Sequence, residues 1–334
     1  MSTRFHPRLA AIRSRRAITC LASAAALVLL AGLTAGCGTA SGTAPNRPGH
    51  GGAAAGGAFP VTVTAANGTV HIAKRPVAIV SLSPTATEML YAIGAGRQVK
   101  AVDSLSNYPR QAPRTALSAY NPNIEAIVAT RPDLVVASND IGLLTRRLAA
   151  FSVPVLAVPA PSKLSGVYAQ FRELGQATGH QRQAHAVVSA LRATIARIVA
   201  AAPHRARPLT YYYELDQTFY SVTSSTFIGK LLGLLGLKSI ADAAKGASAA
   251  GGYPQLSAEF IVKTNPDLII LADTLCCHQS AATVAARSGW AGMTAVREHH
   301  IIALNDDIAS RWGPRIDILL RIVAAATAGI GRRS

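Results

Sequence analysis

Asn123-Ile124-Glu125-Ala126-Ile127-Val128-Ala129-Thr130-Arg131-Pro132-Asp133-Leu134 returns as Ser257-Ala258-Glu259-Phe260-Ile261-Val262-Lys263-Thr264-Asn265-Pro266-Asp267-Leu268, 134 positions on, counted from Glu125 to Glu259. Each copy opens on a side chain suited to capping a helix, Asn123 or Ser257. Each sets a carboxylate in the first turn, where the helix dipole favours negative charge. Each helix then stops at a proline and runs into an apolar, β-prone stretch, Leu134–Ala137 or Leu268–Leu271. One helix-to-strand unit used twice predicts two similar lobes, and two facing lobes leave a cleft between them, a favoured place for a ligand.

Strand and helix signals alternate around both copies. Residues 61–64 and 69–72 flank Asn67-Gly68, a hairpin signal. Residues 78–81 read as a buried strand, 85–93 as a helix ended by Gly94, and 99–102 and 155–158 as further strands. Such alternation argues for mostly parallel sheets covered by helices. Residues 164–201 are helical in pattern, and Ala184, Val187, Val188, Leu191, Ile195 and Ile198 gather on one face. A helix of about 20 residues spans about 30 Å, enough to bridge two small lobes, although an ordinary surface helix fits the same pattern. The second half reads as a strand over 209–213, a helix over 227–235, the second repeat, a strand over 301–304 and a last helix over 314–328, with Pro314 at its first position.

The start of the chain has a different character. Arg4, Arg8, Arg13, Arg15 and Arg16 precede an apolar run over 17–33, the pattern of an export signal, with a single transmembrane anchor as the alternative. Leu33-Thr34-Ala35-Gly36-Cys37 resembles a bacterial lipobox, which would make Cys37 the lipidated N-terminus. Residues 38–58 are rich in Gly, Ala, Pro, Ser and Thr and lack the apolar content to fold, so a flexible tether is expected. The formal charge is +17, or +12 without those five arginines, yet the basic residues are scattered and aromatic residues make up only 5% of the chain. A nucleic-acid surface therefore finds little support, and attraction to an anionic envelope accounts for the charge.

The run Ser81-Leu82-Ser83-Pro84-Thr85-Ala86-Thr87-Glu88, the segment 103–109, both Glu-bearing repeats and Tyr253-Pro254-Gln255-Leu256-Ser257 together resemble the solute-binding proteins of ABC importers for cobalamin and ferric siderophores. The resemblance covers roughly residues 61–330. It implies an α/β fold of two Rossmann-like lobes joined by a single long helix, the class III periplasmic-binding-protein fold. The expected organisation is a lipoprotein signal peptide over 1–36, a tether over 37–58, an N-terminal lobe over 59–178, a connecting helix over 179–204 and a C-terminal lobe over 205–330. It also implies an extracytoplasmic, lipid-anchored monomer that binds a small metal chelate and docks to an ABC permease and its ATPase through Glu125 and Glu259. Helix stabilisation alone is the competing role for those acids. No enzymatic activity and no cofactor beyond the ligand are expected.

Cleft residues belong in loops beyond strand ends. The candidates are Ser83, Pro84, Thr85, Tyr120, Ser138, Tyr253, Asp307, Arg311 and Trp312. By resemblance, Tyr120 and Tyr253 take the places of aromatics that pack on a corrin, and Asp307 and Arg311 match an acid and arginine four residues apart. An internal Asp-Arg pair anchoring the last helix competes with that role. The resemblance implies cobalamin or a related corrinoid as the ligand, with a ferric siderophore or haem as the alternative. Leu105 and Ser138 depart from it, standing where cobalamin binders can carry further aromatics, so this pocket would grip a corrin with fewer stacked rings. Cys276-Cys277-His278 is expected to be a loop feature near the cleft, and a vicinal disulfide or metal ligation remain open there. A metal-dependent hydrolase built on that cluster lacks any supporting Gly-x-Ser-x-Gly or His-Glu-x-x-His motif. His299-His300 reads as solvated turn chemistry.

Overall fold

The computed structural model describes residues 59–330; the export segment, Cys37 and the tether lie outside the described residues. Strands β1 (Val61–Ala65) and β2 (Gly68–Ile72) form an antiparallel hairpin in which Ala65 pairs with Gly68. The turn is therefore Ala66-Asn67, one residue earlier than the Asn67-Gly68 turn expected from the sequence. The Asn67 side chain is engaged elsewhere: its Nδ2 donates to the Val155 carbonyl at 2.9 Å and its Oδ1 accepts from the Ala157 amide at 3.1 Å. It thereby satisfies backbone groups of an edge strand.

Two four-stranded parallel sheets follow. The first contains β3 (Ile79–Leu82), β4 (Val99–Val102), β5 (Leu134–Ala137) and β6 (Val155–Ala157) in the order β4-β3-β5-β6. The second contains β7 (Leu209–Glu214), β8 (Leu237–Ser239), β9 (Leu268–Leu271) and β10 (Ile301–Ala303) in the order β8-β7-β9-β10. The topologies are identical, as a duplicated unit requires. Every residue of β3, β5 and β9 is buried, the consequence of covering a parallel sheet on both faces. A clip is duplicated too. Asp133 accepts from the Val77 and Ala78 amides at 2.9 and 3.0 Å, and Asp267 accepts from the Thr210 amide at 2.7 Å, so each ties the repeat to the first strand of its own sheet.

The helices are α1 (Pro84–Ala92), α2 (Ile124–Ala129), α3 (Leu144–Ala149), α4 (Leu164–Thr178), α5 (Gln181–Ala201), α6 (Phe227–Gly233), α7 (Ala258–Thr264), α8 (Ala281–Ala285), α9 (Thr294–Arg297), α10 (Asp306–Ser310) and α11 (Ile316–Thr327). The helical stretch 164–201 breaks at Gly179, whose φ of 76° suits glycine and ends α4. With 21 residues, α5 is about 32 Å long. It buries Ala184, Val188, Leu191 and Ile195 and packs against α4 and α11. The last helix begins at Ile316, so Pro314 lies in the turn before it instead of at its first position; Arg315 immediately precedes the helix and makes no capping bond, its side chain reaching into the other lobe instead.

One apolar core runs through both lobes, from Leu90 and Phe171 by way of Leu191 to Tyr213, Leu231 and Leu320. Smaller cores lie on the other faces of the two sheets, around Ile127 and Leu148 in the first and Trp290 and Ile261 in the second. Opening the lobes widely would split the shared core and expose apolar surface.

Candidate functional site

The ends of β3, β4 and β5 face α10 across a cavity of about 400 Å³. Ser83, Pro84, Thr85, Ser104, Leu105, Asn107, Tyr120 and Ser138 line it from the first lobe, and Asp307, Ser310, Arg311 and Trp312 from the second. Eight of the nine candidates from the sequence are among these residues; Tyr253 is not. Tyr253 is half-exposed on the second lobe. A larger hollow of about 780 Å³ lies at the opposite, entry ends of β7 and β9, beside Leu209 and Asp267. Ligands of open parallel sheets bind at the exit ends, which favours the inter-lobe cavity.

The cavity wall is built from a helix start. Ser83 follows β3 in extended conformation, and its Oγ accepts from the Ala86 amide at 3.2 Å, while Pro84 takes the first helical position of α1. Below them, the Thr87 hydroxyl bonds the Ser81 and Ser106 hydroxyls at 2.9 Å each, and Ser106 donates to Asp103. Burial pushes the Asp103 carboxyl up, against the Ser106 bond and the nearby Arg311 charge, which lower it. This polar layer fixes the 103–107 loop that carries Leu105 and Asn107 into the cleft.

Glu88, one helical turn beyond Thr85, is the centre of the inter-lobe contact. Its carboxylate is fully buried and accepts from two arginines of the other lobe: Arg311 at 2.9 Å, and Arg315 through Nε at 2.8 Å and Nη2 at 2.5 Å. Arg311 spends its remaining terminal N–H groups on the Asn107 side chain at 2.9 Å, the Leu105 carbonyl at 3.0 Å and Asp307 at 2.5 Å. The Arg315 guanidinium also lies 4.2 Å from the Tyr108 ring centroid. Asp307 and Arg311 form an internal ion pair that also borders the cavity. Glu88, Asn107 and Arg315 were not singled out as site residues by sequence reasoning. The available signal was Glu88 itself, the only acid in a helix of small and apolar residues.

The aromatic candidates differ in setting. Trp312 is partly buried, and its Nε1–H donates to Gln170 Oε1 at 3.0 Å, so it spans from the second lobe to α4. Tyr120 is 73% exposed in the loop before α2, and Leu105 is 51% exposed on the same wall. The cleft therefore offers apolar faces held by a polar floor, suited to a flat amphipathic molecule.

Glu125 and Glu259 occupy matching positions. Asn123 Oδ1 accepts from the Ala126 amide at 2.9 Å and Ser257 Oγ from the Phe260 amide at 3.1 Å, so each acid is the second residue of a side-chain-capped helix. Both acids are exposed, with no ion-pair partner among the described residues. The Glu259 backbone amide and the Ser257 hydroxyl hold its carboxyl below the usual range.

Asp306 accepts from the Leu275 and Cys276 amides, both at 2.9 Å, which anchors the Cys-Cys-His loop beside α10. The two sulfurs lie 2.6 Å apart. Partial burial, followed by Cys277 and Asp306, pushes the Cys276 thiol up to about 12. Among the described residues no group of three or more His, Cys, Asp and Glu side chains forms a metal site. His300 Nδ1 lies 3.1 Å from the Asp267 carbonyl, whereas His299 is exposed in the adjoining turn.

The family described as "Periplasmic binding protein" matches residues 79–308. An ABC transporter substrate-binding lipoprotein of Bacillus subtilis, itself uncharacterised, is 29% identical over 302 residues, which cover 87% of this chain and 92% of the relative. A cobalamin-binding protein of Halobacterium salinarum is 32% identical over 269 residues, 77% of this chain and 71% of the relative. Among solved structures, that of a possible iron-binding, periplasmic solute-binding protein from Staphylococcus epidermidis superposes with a TM-score of 0.65 at 26% identity, covering 76% of this chain and 99% of the other. With its two matching parallel sheets, long helix and inter-lobe cavity, the chain belongs to the periplasmic binding protein family, as a substrate-binding protein of an ABC importer.

Proposed function

We propose that this extracytoplasmic substrate-binding protein captures cobalamin or a related corrinoid in the cavity between its lobes and delivers it to the permease of its importer. The observation that carries the reading is the cavity wall: exposed Tyr120 and Leu105 on one side and Trp312 on the other, over a floor of Ser83, Thr85, Asp307 and Arg311. Apolar faces suit a macrocycle, and the polar floor suits amide-bearing arms. The cobalamin-binding relative supports the same choice. Lipidation at Cys37 would hold the monomer at the membrane by residues 38–58, and Glu125 and Glu259 would orient it on permease cations. Capture and release suffice for this role, so no covalent step is needed.

Equilibrium titration of the mature chain with cobalamin, cobinamide, haem and several ferric siderophores tests the reading. Saturable binding of a corrinoid with at least about tenfold preference, or 1.4 kcal/mol, is expected. Preference for haem or a siderophore overturns it.

A further inference from the structure

Asn107 places its carboxamide in the cleft, far in sequence from the two residues that hold it. Arg311 Nη1 donates to Asn107 Oδ1 at 2.9 Å, and Asn107 Nδ2 donates to Asp307 Oδ2 at 2.7 Å. Arg311 Nη2 meanwhile donates to Asp307 Oδ1 at 2.5 Å. The pair thus presents one donor and one acceptor side by side, and a primary amide satisfies both. Turning the amide over would set N–H against N–H and carbonyl against carboxylate. A carboxylate fits poorly, because it has no hydrogen for Asp307 Oδ2 and its charge would face another negative charge.

On the corrinoid reading Asp307 and Arg311 receive an amide-bearing arm of the ligand; we propose that Asn107 is the built-in occupant of that receptor, displaced when a peripheral carboxamide of the corrinoid arrives. This deepens the corrinoid reading and rests on it. The exchange conserves hydrogen bonds, two being lost and two regained. The receptor keeps its shape throughout, since Glu88 and the Leu105 carbonyl continue to hold Arg311. Asn107 can swing without moving its backbone, because Arg114 donates to the Asn107 carbonyl at 3.0 Å. The occupant also enforces selectivity. A ligand arm lacking either the donor or the acceptor leaves Asp307 or Arg311 unpaired, and so cannot repay the displacement of Asn107.

The test is equilibrium titration of the mature chain with dicyanocobinamide, which carries side-chain amides, and with dicyanocobyrinate, which carries carboxylates in their place. The wild type should bind the amide probe at least about tenfold more tightly. Asn107→Ala frees the receptor and should tighten cobinamide binding about threefold to tenfold, because the occupied fraction no longer lowers the apparent affinity. Asp307→Asn, whose amide can donate to a carboxylate, should narrow the gap between the probes. Thermal melting of both variants checks that they fold. Unchanged or weakened cobinamide binding by Asn107→Ala overturns the occupant, and equal wild-type affinity for both probes overturns the receptor. Failure of the wild type to bind either probe, with haem or a siderophore bound instead, overturns the corrinoid reading and this proposal with it.

Discussion

Glu88 and Arg315 face each other across the lobe boundary as a two-point pair, Oε2 to Nε at 2.8 Å and Oε1 to Nη2 at 2.5 Å, with the carboxylate fully shielded from solvent. Arg311 closes on the same carboxylate at 2.9 Å. One acid therefore neutralises part of the charge of two guanidiniums that have little water of their own. Removing it leaves Arg315 without its ion-pair partner and Arg311 with Asp307 alone. Glu88→Ala should cost about 3–5 kcal/mol of unfolding free energy, the usual consequence of breaking a buried ion pair from one side. Urea denaturation measures it, and a loss under about 1 kcal/mol would mean that the lobes are held by their shared apolar core alone.

The duplicated acids should behave in the opposite way. Glu125 and Glu259 are exposed and unpaired among the described residues, so little of the fold depends on them. Reversing both, Glu125→Lys with Glu259→Lys, should abolish import in cells while ligand affinity in solution and the melting temperature stay close to wild type. If docking uses these acids, the loss arises in encounter and orientation. Import at the wild-type rate would leave them as helix-stabilising residues only.

A third expectation concerns pH. Asp273 is buried beside the fully buried Glu214, and both of its carboxylate oxygens lack hydrogen-bond partners. Burial first, and then the Glu214 charge, push its carboxyl up to about 7, against the opposing influence of Arg287, which donates to both Glu214 oxygens at 2.6 and 2.5 Å. The folded state therefore binds a proton more tightly than the unfolded chain does. This contribution is fully present below about pH 4 and is lost as pH rises toward 7, at up to about 1.4 kcal/mol per pH unit. Asp273→Asn should flatten the fall in melting temperature between pH 5 and 7 and raise stability at pH 8. An unchanged profile in the variant would show that Asp273 is ionised throughout.

Much of the architecture was legible because it is locally encoded. Parallel strands buried on both faces read as apolar runs, as in Leu268–Leu271, and the repeated caps at Asn123 and Ser257 mark helix starts through bonds only three residues long. The exit ends of the strands could be located, and with them Ser83, Pro84, Thr85 and Ser138 at the cavity. Cross-lobe partners could not. Glu88 and Arg315 are 227 positions apart and Asn107 and Arg311 are 204 apart, so no periodicity connects them. The hairpin turn was misplaced for the same reason: the nearby Asn67-Gly68 pattern was outweighed by the bond from Asn67 to Val155, 88 residues away.

Trp312 offers a direct optical report on the cleft. The sequence contains two tryptophans. Trp290 is 1% exposed, packed in the second lobe with ring centroids 5.9 Å from Tyr212 and 5.8 Å from Phe219, so an ionic quencher cannot reach it. Trp312 borders the cavity and is only partly buried. Iodide quenching of the unliganded protein should therefore come mainly from Trp312, and Trp312→Phe should remove most of it. A ligand seated between the lobes covers the indole and should lower the Stern–Volmer slope of the wild type at saturation. The same slope with and without saturating ligand would put the bound molecule elsewhere, because a macrocycle resting on Ser83, Tyr120 and Arg311 cannot leave the neighbouring Trp312 open to iodide.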